Sequence, residues 1–321
     1  MHRKLVLTAT VCLSAAILPA DATCASEAYP SRPIRIVTTD VGNSNDLLAR
    51  LLAESLTAPL GQQLIVENRG GAGGGLAVEK LMSAAPDGHT IMVHGTSIWL
   101  LPLMRSDTPW DSFRDFAPIS LIARNPAVLV VPASLPPKSV RELIEYAKAR
   151  PGQLNYVSVD DGSPSHLAAE LFVSMAGINV VRVAYKGGGA AFNGLMSGEG
   201  HMMVNAIAPA MAHVRAGRLR ALAVTSPSAM LPELPTVGAT LPGYERITHQ
   251  AIFAPAKTPP LIIKRLNAEV VRALGRADLK EKAMKLGIEV GGSASSEVTA
   301  MMKSETARMR PVIQGSGIKV H

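Results

Sequence analysis

Residues able to do chemistry gather in two short stretches. One runs through Thr38, Thr39, Asp40, Gly42, Asn43 and Asp46; the other through Ser158, Asp160, Asp161, Gly162, Ser163, Ser165 and His166. Hydroxyls and amides are short hydrogen-bonding groups suited to an oxygen-bearing ligand. The same residue types also form turns and cap helices, so either role is open for each one. Serine next to histidine raises nucleophilic catalysis. Spacing argues against it: there is no G-x-S-x-G elbow, and neighbours on one turn do not supply a triad. His89 and His94 have no third ligand in pattern, so no zinc site is expected. The glycine run at 70–75 misses the dinucleotide fingerprint, because Leu76 holds the third glycine position counted from Gly71. The reading is a site without catalytic residues, metal or cofactor.

Both stretches lie between a strand and a helix. Residues 154–159 have the apolar members of a strand, and Leu167, Leu171 and Phe172 follow at helical spacing. Residues 34–37 and 47–56 frame the first stretch in the same way. The first N–H groups of a helix have no partner inside it and carry the positive end of its dipole. Each turn is therefore a socket for an anion or a polar group. The two sockets are expected to face each other across a cleft and hold a small polar molecule. Two glycine-rich turns would join them. Gly71 and Ala72 offer backbone that can approach a ligand, and Tyr185 and Lys186 would close over it.

Further strands and helices alternate along the chain, the pattern of an α/β protein with mostly parallel sheets. Short strands are read at 64–67, 90–94, 127–131, 180–183, 201–206, 219–225 and 252–254. Ser139 and Glu142 form a capping box before a helix reaching 150. Prolines 227, 232, 235 and 242 punctuate a crossing segment, and amphipathic helices fill 259–274, 277–286 and 295–309. At 321 residues the chain has room for two domains. The basic start Met1-His2-Arg3-Lys4, the short apolar run 5–20 and the small residues after it read as a secretory signal peptide over 1–26, too short for a membrane span. A lipid anchor on Cys24 is the rival, although Asp21-Ala22-Thr23 makes a poor lipobox. Cys12 and Cys24 both fall in this leader, so a mature chain starting near Glu27 has no thiol chemistry. The net charge of +7 is diffuse and aromatics are only 4%, which argues against nucleic acid.

Together these residues resemble the periplasmic solute-binding proteins of tripartite tricarboxylate transporters, the Bug family. The pieces are Tyr29-Pro30-Ser31-Arg32-Pro33-Ile34, Gly42 with Asp46, Ala49 and Arg50, Val66-Glu67-Asn68-Arg69 with the glycines after it, and Pro86-Asp87-Gly88. In the second half they are Leu154-Asn155-Tyr156, Gly162-Ser163-Pro164-Ser165-His166-Leu167, Tyr185-Lys186-Gly187, the run 215–225 and Leu234-Pro235-Thr236. The resemblance implies a two-domain, type II-like periplasmic-binding-protein fold with a hinge and an interdomain cleft. One domain would be 27–124 plus 230–321, the other 125–229. It also implies a monomeric, periplasmic protein that takes a small carboxylate-bearing ligand and hands it to membrane components of a transporter. A sensor kinase as partner, with the protein signalling ligand occupancy, is the alternative; a serine hydrolase is a weaker one.

The sequence departs from the family at the site. Its first turn is Val37-Thr38-Thr39-Asp40-Val41-Gly42-Asn43 in place of a proline- and glycine-rich one, and its central turn carries Asp160-Asp161. Three carboxylates around the mouth would penalise a bound di- or tricarboxylate. On that reading the ligand is neutral, zwitterionic or cationic, or a carboxylate with a cationic group, with amide- or amino-containing ligands included. On the other, the aspartates cap the helices and face solvent.

Overall fold

A computed structural model describes residues 29–71, 74–318 and 320. The expected leader, 1–26, and Ala72 lie outside the described residues. In chain order the elements are β1 (Ile34–Thr38), α1 (Ser44–Leu60), β2 (Leu64–Asn68), α2 (Gly75–Met82), β3 (Thr90–Gly95), α3 (Ser97–Met104) and β4 (Phe116–Pro132). There follow α4 (Val140–Lys148), β5 (Asn155–Val159), α5 (Pro164–Ala176), β6 (Val181–Tyr185), α6 (Gly188–Met196), β7 (Met202–Ala206), α7 (Ile207–Arg215) and β8 (Leu219–Val224). The chain then returns through β9 (Ile247–Pro255), α8 (Pro260–Gly275), α9 (Ala277–Lys285), β10 (Glu289–Val290) and α10 (Ser295–Ser316).

Local signals explain most of these bounds. Asn43 caps α1 by accepting from the Asp46 N–H, and Gly61 stops it in the left-handed region at φ 68°. Between them Leu48, Leu52 and Leu56 form one buried stripe. Ser139 caps α4 as expected, but the returning arm of the box differs. The Glu142 carboxylate accepts from the Lys138 N–H at 2.9 Å. Helix α3 has no amphipathic period to read, because Ile98, Trp99, Leu100, Leu101 and Met104 are all buried.

The sheet is two copies of one arrangement. In the first wing the order is β2-β1-β3-β9-β4, and in the second it is β6-β5-β7-β4-β8. In each wing the first three strands are parallel. The expectation of mostly parallel sheets needs correcting. Strand β4 runs from one wing into the other, β9 takes up the chain on its return, and they run antiparallel to their neighbours β3, β7 and β8. A continuous apolar run signals burial on both faces, and burial does not report strand direction.

Strand β4 is also longer than the run 127–131. It pairs with β9 up to Pro126 and with β7 and β8 from Ala127 onward. Asn125-Pro126 looks like a break in sequence. In the structure it marks the change of partner, where a proline is tolerated. The proline-punctuated segment packs largely on the second wing: Val224 bridges Thr236, and the buried Tyr244 packs edge-on against Phe172. The chain crosses at Arg246, whose N–H donates to the Thr225 carbonyl at 3.2 Å.

Apolar packing is arranged around this frame. One cluster, with Ile36, Leu52 and Ile252, belongs to the first wing, and one, with Val130, Phe192 and Met203, to the second. A third joins both, because Met302 and Met309 of α10 sit with Trp99 and Phe253 on one side and Leu167 and Phe172 on the other. Each large side chain so buried contributes roughly 1.5–3 kcal/mol.

Candidate functional site

A cleft of about 490 Å³ opens between the wings. Three helices begin on it: Ser44 of α1, Pro164 of α5 and Ile207 of α7 all line it. Its floor is the crossing pair, with Asn125 and Pro126 from β4 and Thr248 and Gln250 from β9. A polar chain runs along that floor. The Asn125 amide donates to Gln250 Oε1 at 2.7 Å, and Gln250 Nε2 donates to Ser44 Oγ at 3.2 Å. Leu47, Val159, Ala168 and Ile207 supply apolar wall.

The first socket is built largely from the residues singled out in sequence, but most stand behind the cleft. Thr38 Oγ1 donates to the Val93 carbonyl at 3.1 Å. Thr39 Oγ1 accepts from the amides of Asn43 and Asn45 at 2.7 and 3.2 Å. The buried Asp46 carboxylate accepts from the Gly42 N–H and the Asn68 amide, both at 2.8 Å, and pairs with Arg50. Burial raises this carboxyl, but those donors outweigh it and hold it below the ordinary range. Asp46 thus fixes Gly42, which does line the cleft. Asp40 is exposed and lies against Gly70, where an added Cβ would fall 1.7 Å from Asp40 Oδ1. Gly71, at φ 100°, also lies off the lining.

The second socket repeats the plan. Ser163 caps α5 by accepting from the His166 N–H at 3.3 Å, and its hydroxyl donates to the Val159 carbonyl. His166 is buried, with Nδ1 accepting from the Gly162 N–H at 3.1 Å and Nε2 standing 3.7 Å from Glu170. Neither ring nitrogen is bonded to Ser163 or Ser165; the histidine closes the turn through Gly162. Ser158 Oγ accepts from Arg182 Nε at 2.7 Å, and the same guanidinium pairs with Asp161. Asp160 is exposed, with its carbonyl accepting from the Ser163 N–H. Tyr185 donates to Glu199 on its own wing, and Lys186 is exposed. Neither reaches the cleft lining.

Among the described residues the lining therefore holds no carboxylate side chain and one cation, Arg246. The three aspartates expected to repel an anion, Asp40, Asp160 and Asp161, are not on it. Among the described residues no three His, Cys, Asp or Glu side chains come together as a metal group. Ser44, Asn125, Asn205, Arg246 and Gln250 were not singled out in sequence. The start of α7 had a readable signal, since the strand before it ends in the same strand-to-helix grammar as the two sockets.

The family model of the tripartite tricarboxylate transporter family receptor matches residues 48–318. The chain belongs to this family. Among solved structures, this receptor chain is similar to R. palustris Rpa4515 with adipate, at 33% identity and TM-score 0.75, covering 91% of this chain and 99% of that one. It is similar to MatC from Rhodopseudomonas palustris with bound malate, at 29% identity and TM-score 0.70 over 89% and 100% of the two chains. It is also similar to the periplasmic binding protein BugD, at 28% identity and TM-score 0.72 over 91% and 99%. The receptor has the mixed α/β fold of these periplasmic binding proteins. No helix among its described residues is long and apolar enough to cross a membrane.

Proposed function

We propose that this receptor captures a carboxylate-bearing small molecule in the cleft and passes it to the membrane components of a tripartite tricarboxylate-type transporter. The observation that carries the reading is the lining itself: three helix starts converge on it, and no acidic side chain does. Such a surface favours an anion through open N–H groups and aligned dipoles, each helix contributing roughly 0.3–1 kcal/mol. The relatives with adipate and malate support the ligand class. The chain acts in the periplasm after loss of the leader 1–26, as a monomer and not as a hydrolase. Its lobes are 27–124 with 230–321 and 125–229, and the packing of Thr236 and Tyr244 on the second wing favours a return to the first lobe nearer Arg246. Ligand touching both lobes favours the closed arrangement by its differential affinity.

Calorimetry with adipate, malate and their amides tests this. The expected result is a micromolar dissociation constant, about −8 kcal/mol, for at least one acid and much weaker binding of its amide. Tight binding of amides or amines with no response to any acid overturns it. Native mass spectrometry of the protein as purified identifies what the cleft retains.

A further inference from the structure

We propose that Arg246 is the charged recognition element of the cleft and takes one carboxylate of the solute through Nε and Nη2. This rests on the carboxylate reading above and deepens it to a specific subsite.

Arg246 is 2% exposed and lines the cleft. Its backbone sits where the chain crosses between the wings. Its N–H donates to the Thr225 carbonyl, its carbonyl accepts from Thr225 Oγ1, and that same oxygen accepts from the Ala127 N–H of β4. One edge of the guanidinium is committed: Nη1 donates to the Ile247 carbonyl at 2.8 Å and to Glu305. The other edge is open, for Nε and Nη2 are buried and have no partner among the described residues. Nε and Nη2 are the two parallel donors with which an arginine grips a carboxylate side-on.

Glu305 cannot turn to satisfy them. Its Oε1 takes Arg246, while Oε2 accepts from Trp99 Nε1 at 3.0 Å and stands 3.6 Å from His249 Nδ1. A buried donor left without an acceptor is costly, and a charged one more so. Arg246 lines a cleft whose other polar side chains, Asn125, Gln250, Ser44, Ser165, Asn205 and Thr248, are uncharged. That places the ionised end of the solute at Arg246. A second polar end, if the solute has one, meets the helix starts, and the body lies on Leu47, Val159 and Ile207. The Arg246 backbone is tied through Thr225 to Ala127, so the subsite is anchored to both crossings.

Wild type, Arg246→Gln and Arg246→Lys are titrated with adipate and with malate by calorimetry. For whichever acid wild type binds, Arg246→Gln is expected to weaken binding roughly 10- to 100-fold, with Arg246→Lys in between because an ammonium cannot make the paired contact. Binding by Arg246→Gln within twofold of wild type overturns the inference while the carboxylate reading stands. If wild type binds neither acid, both fall. Should Arg246→Gln fail to fold, with Glu305 deprived of its cation, arginine Nε–H resonances of wild type decide. The resonance missing from Arg246→Lys must shift on adding the acid, and an unmoved resonance in an acid-saturated sample refutes the proposal.

Discussion

Asp46→Asn separates the charge that holds the first turn from the shape that fills it. The carboxylate is 2% exposed and receives the Gly42 N–H, the Asn68 amide and Arg50. An amide of the same size keeps one acceptor, for Asn68, and turns an NH2 toward the Gly42 N–H. A hydrogen bond to a charged acceptor is worth about 1.5–3 kcal/mol. The pair with half-exposed Arg50 adds under ~1 kcal/mol after solvent screening. The expected loss is about 2–4 kcal/mol by urea unfolding, with a Tm fall of roughly 5–12 °C. Its pH dependence follows from the lowered carboxyl. A folded-state pKa below the unfolded one gives stability that is complete above the unfolded value, near ~4, and is lost as pH falls through the folded one. The gap between wild type and variant therefore narrows from about pH 4 downward. A gap under ~0.5 kcal/mol at neutral pH, or one that does not narrow in acid, refutes the assignment of Asp46 as the charged anchor of Gly42.

Three other outcomes follow from named contacts. Gly162→Ala should lower the Tm by several degrees, because Gly162 has φ 69° and a Cβ would lie 2.8 Å from Val320 and 3.0 Å from Met104; an unchanged melt would show the tail and α3 give way freely. Tyr244→Phe should lose about 1 kcal/mol in urea with the m-value unchanged, since only the hydroxyl bond to the Ala168 carbonyl at 3.1 Å is removed. Glu305→Ala should destabilise by about 3–5 kcal/mol by leaving Arg246 buried without its counter-charge, and a loss below ~1 kcal/mol would mean Arg246 is not confined as described.

The strand-to-helix turns were readable because their causes are local. Asn43 and Ser163 cap the helices they precede, and the leucine stripe of α1 repeats at helical spacing. Several side chains singled out in sequence have longer-range partners that residue order did not show. The aspartates were placed around the ligand, but Asp161 is drawn to Arg182 from the neighbouring strand and Asp160 stays in solvent. Tyr185 was given to the ligand; in the structure its hydroxyl donates to Glu199. Helix α3 and the full length of β4 were hidden because all-round burial erases the period that marks an exposed face.

Residue order alone was enough for the alternation of strands and helices, the two sockets and the family, since capping, hydrophobic period and turn chemistry act over a few residues. It could not show which polar groups meet a solute. Gln250 and Ser44 bond although 206 positions separate them, and Arg246 reaches Glu305 across 59. These meetings exist because the chain passes twice between the wings, along β4 and again on its return into β9, and α10 packs against both. Only that folded arrangement keeps the aspartates off the cleft lining and leaves one edge of the Arg246 guanidinium unpaired among the described residues.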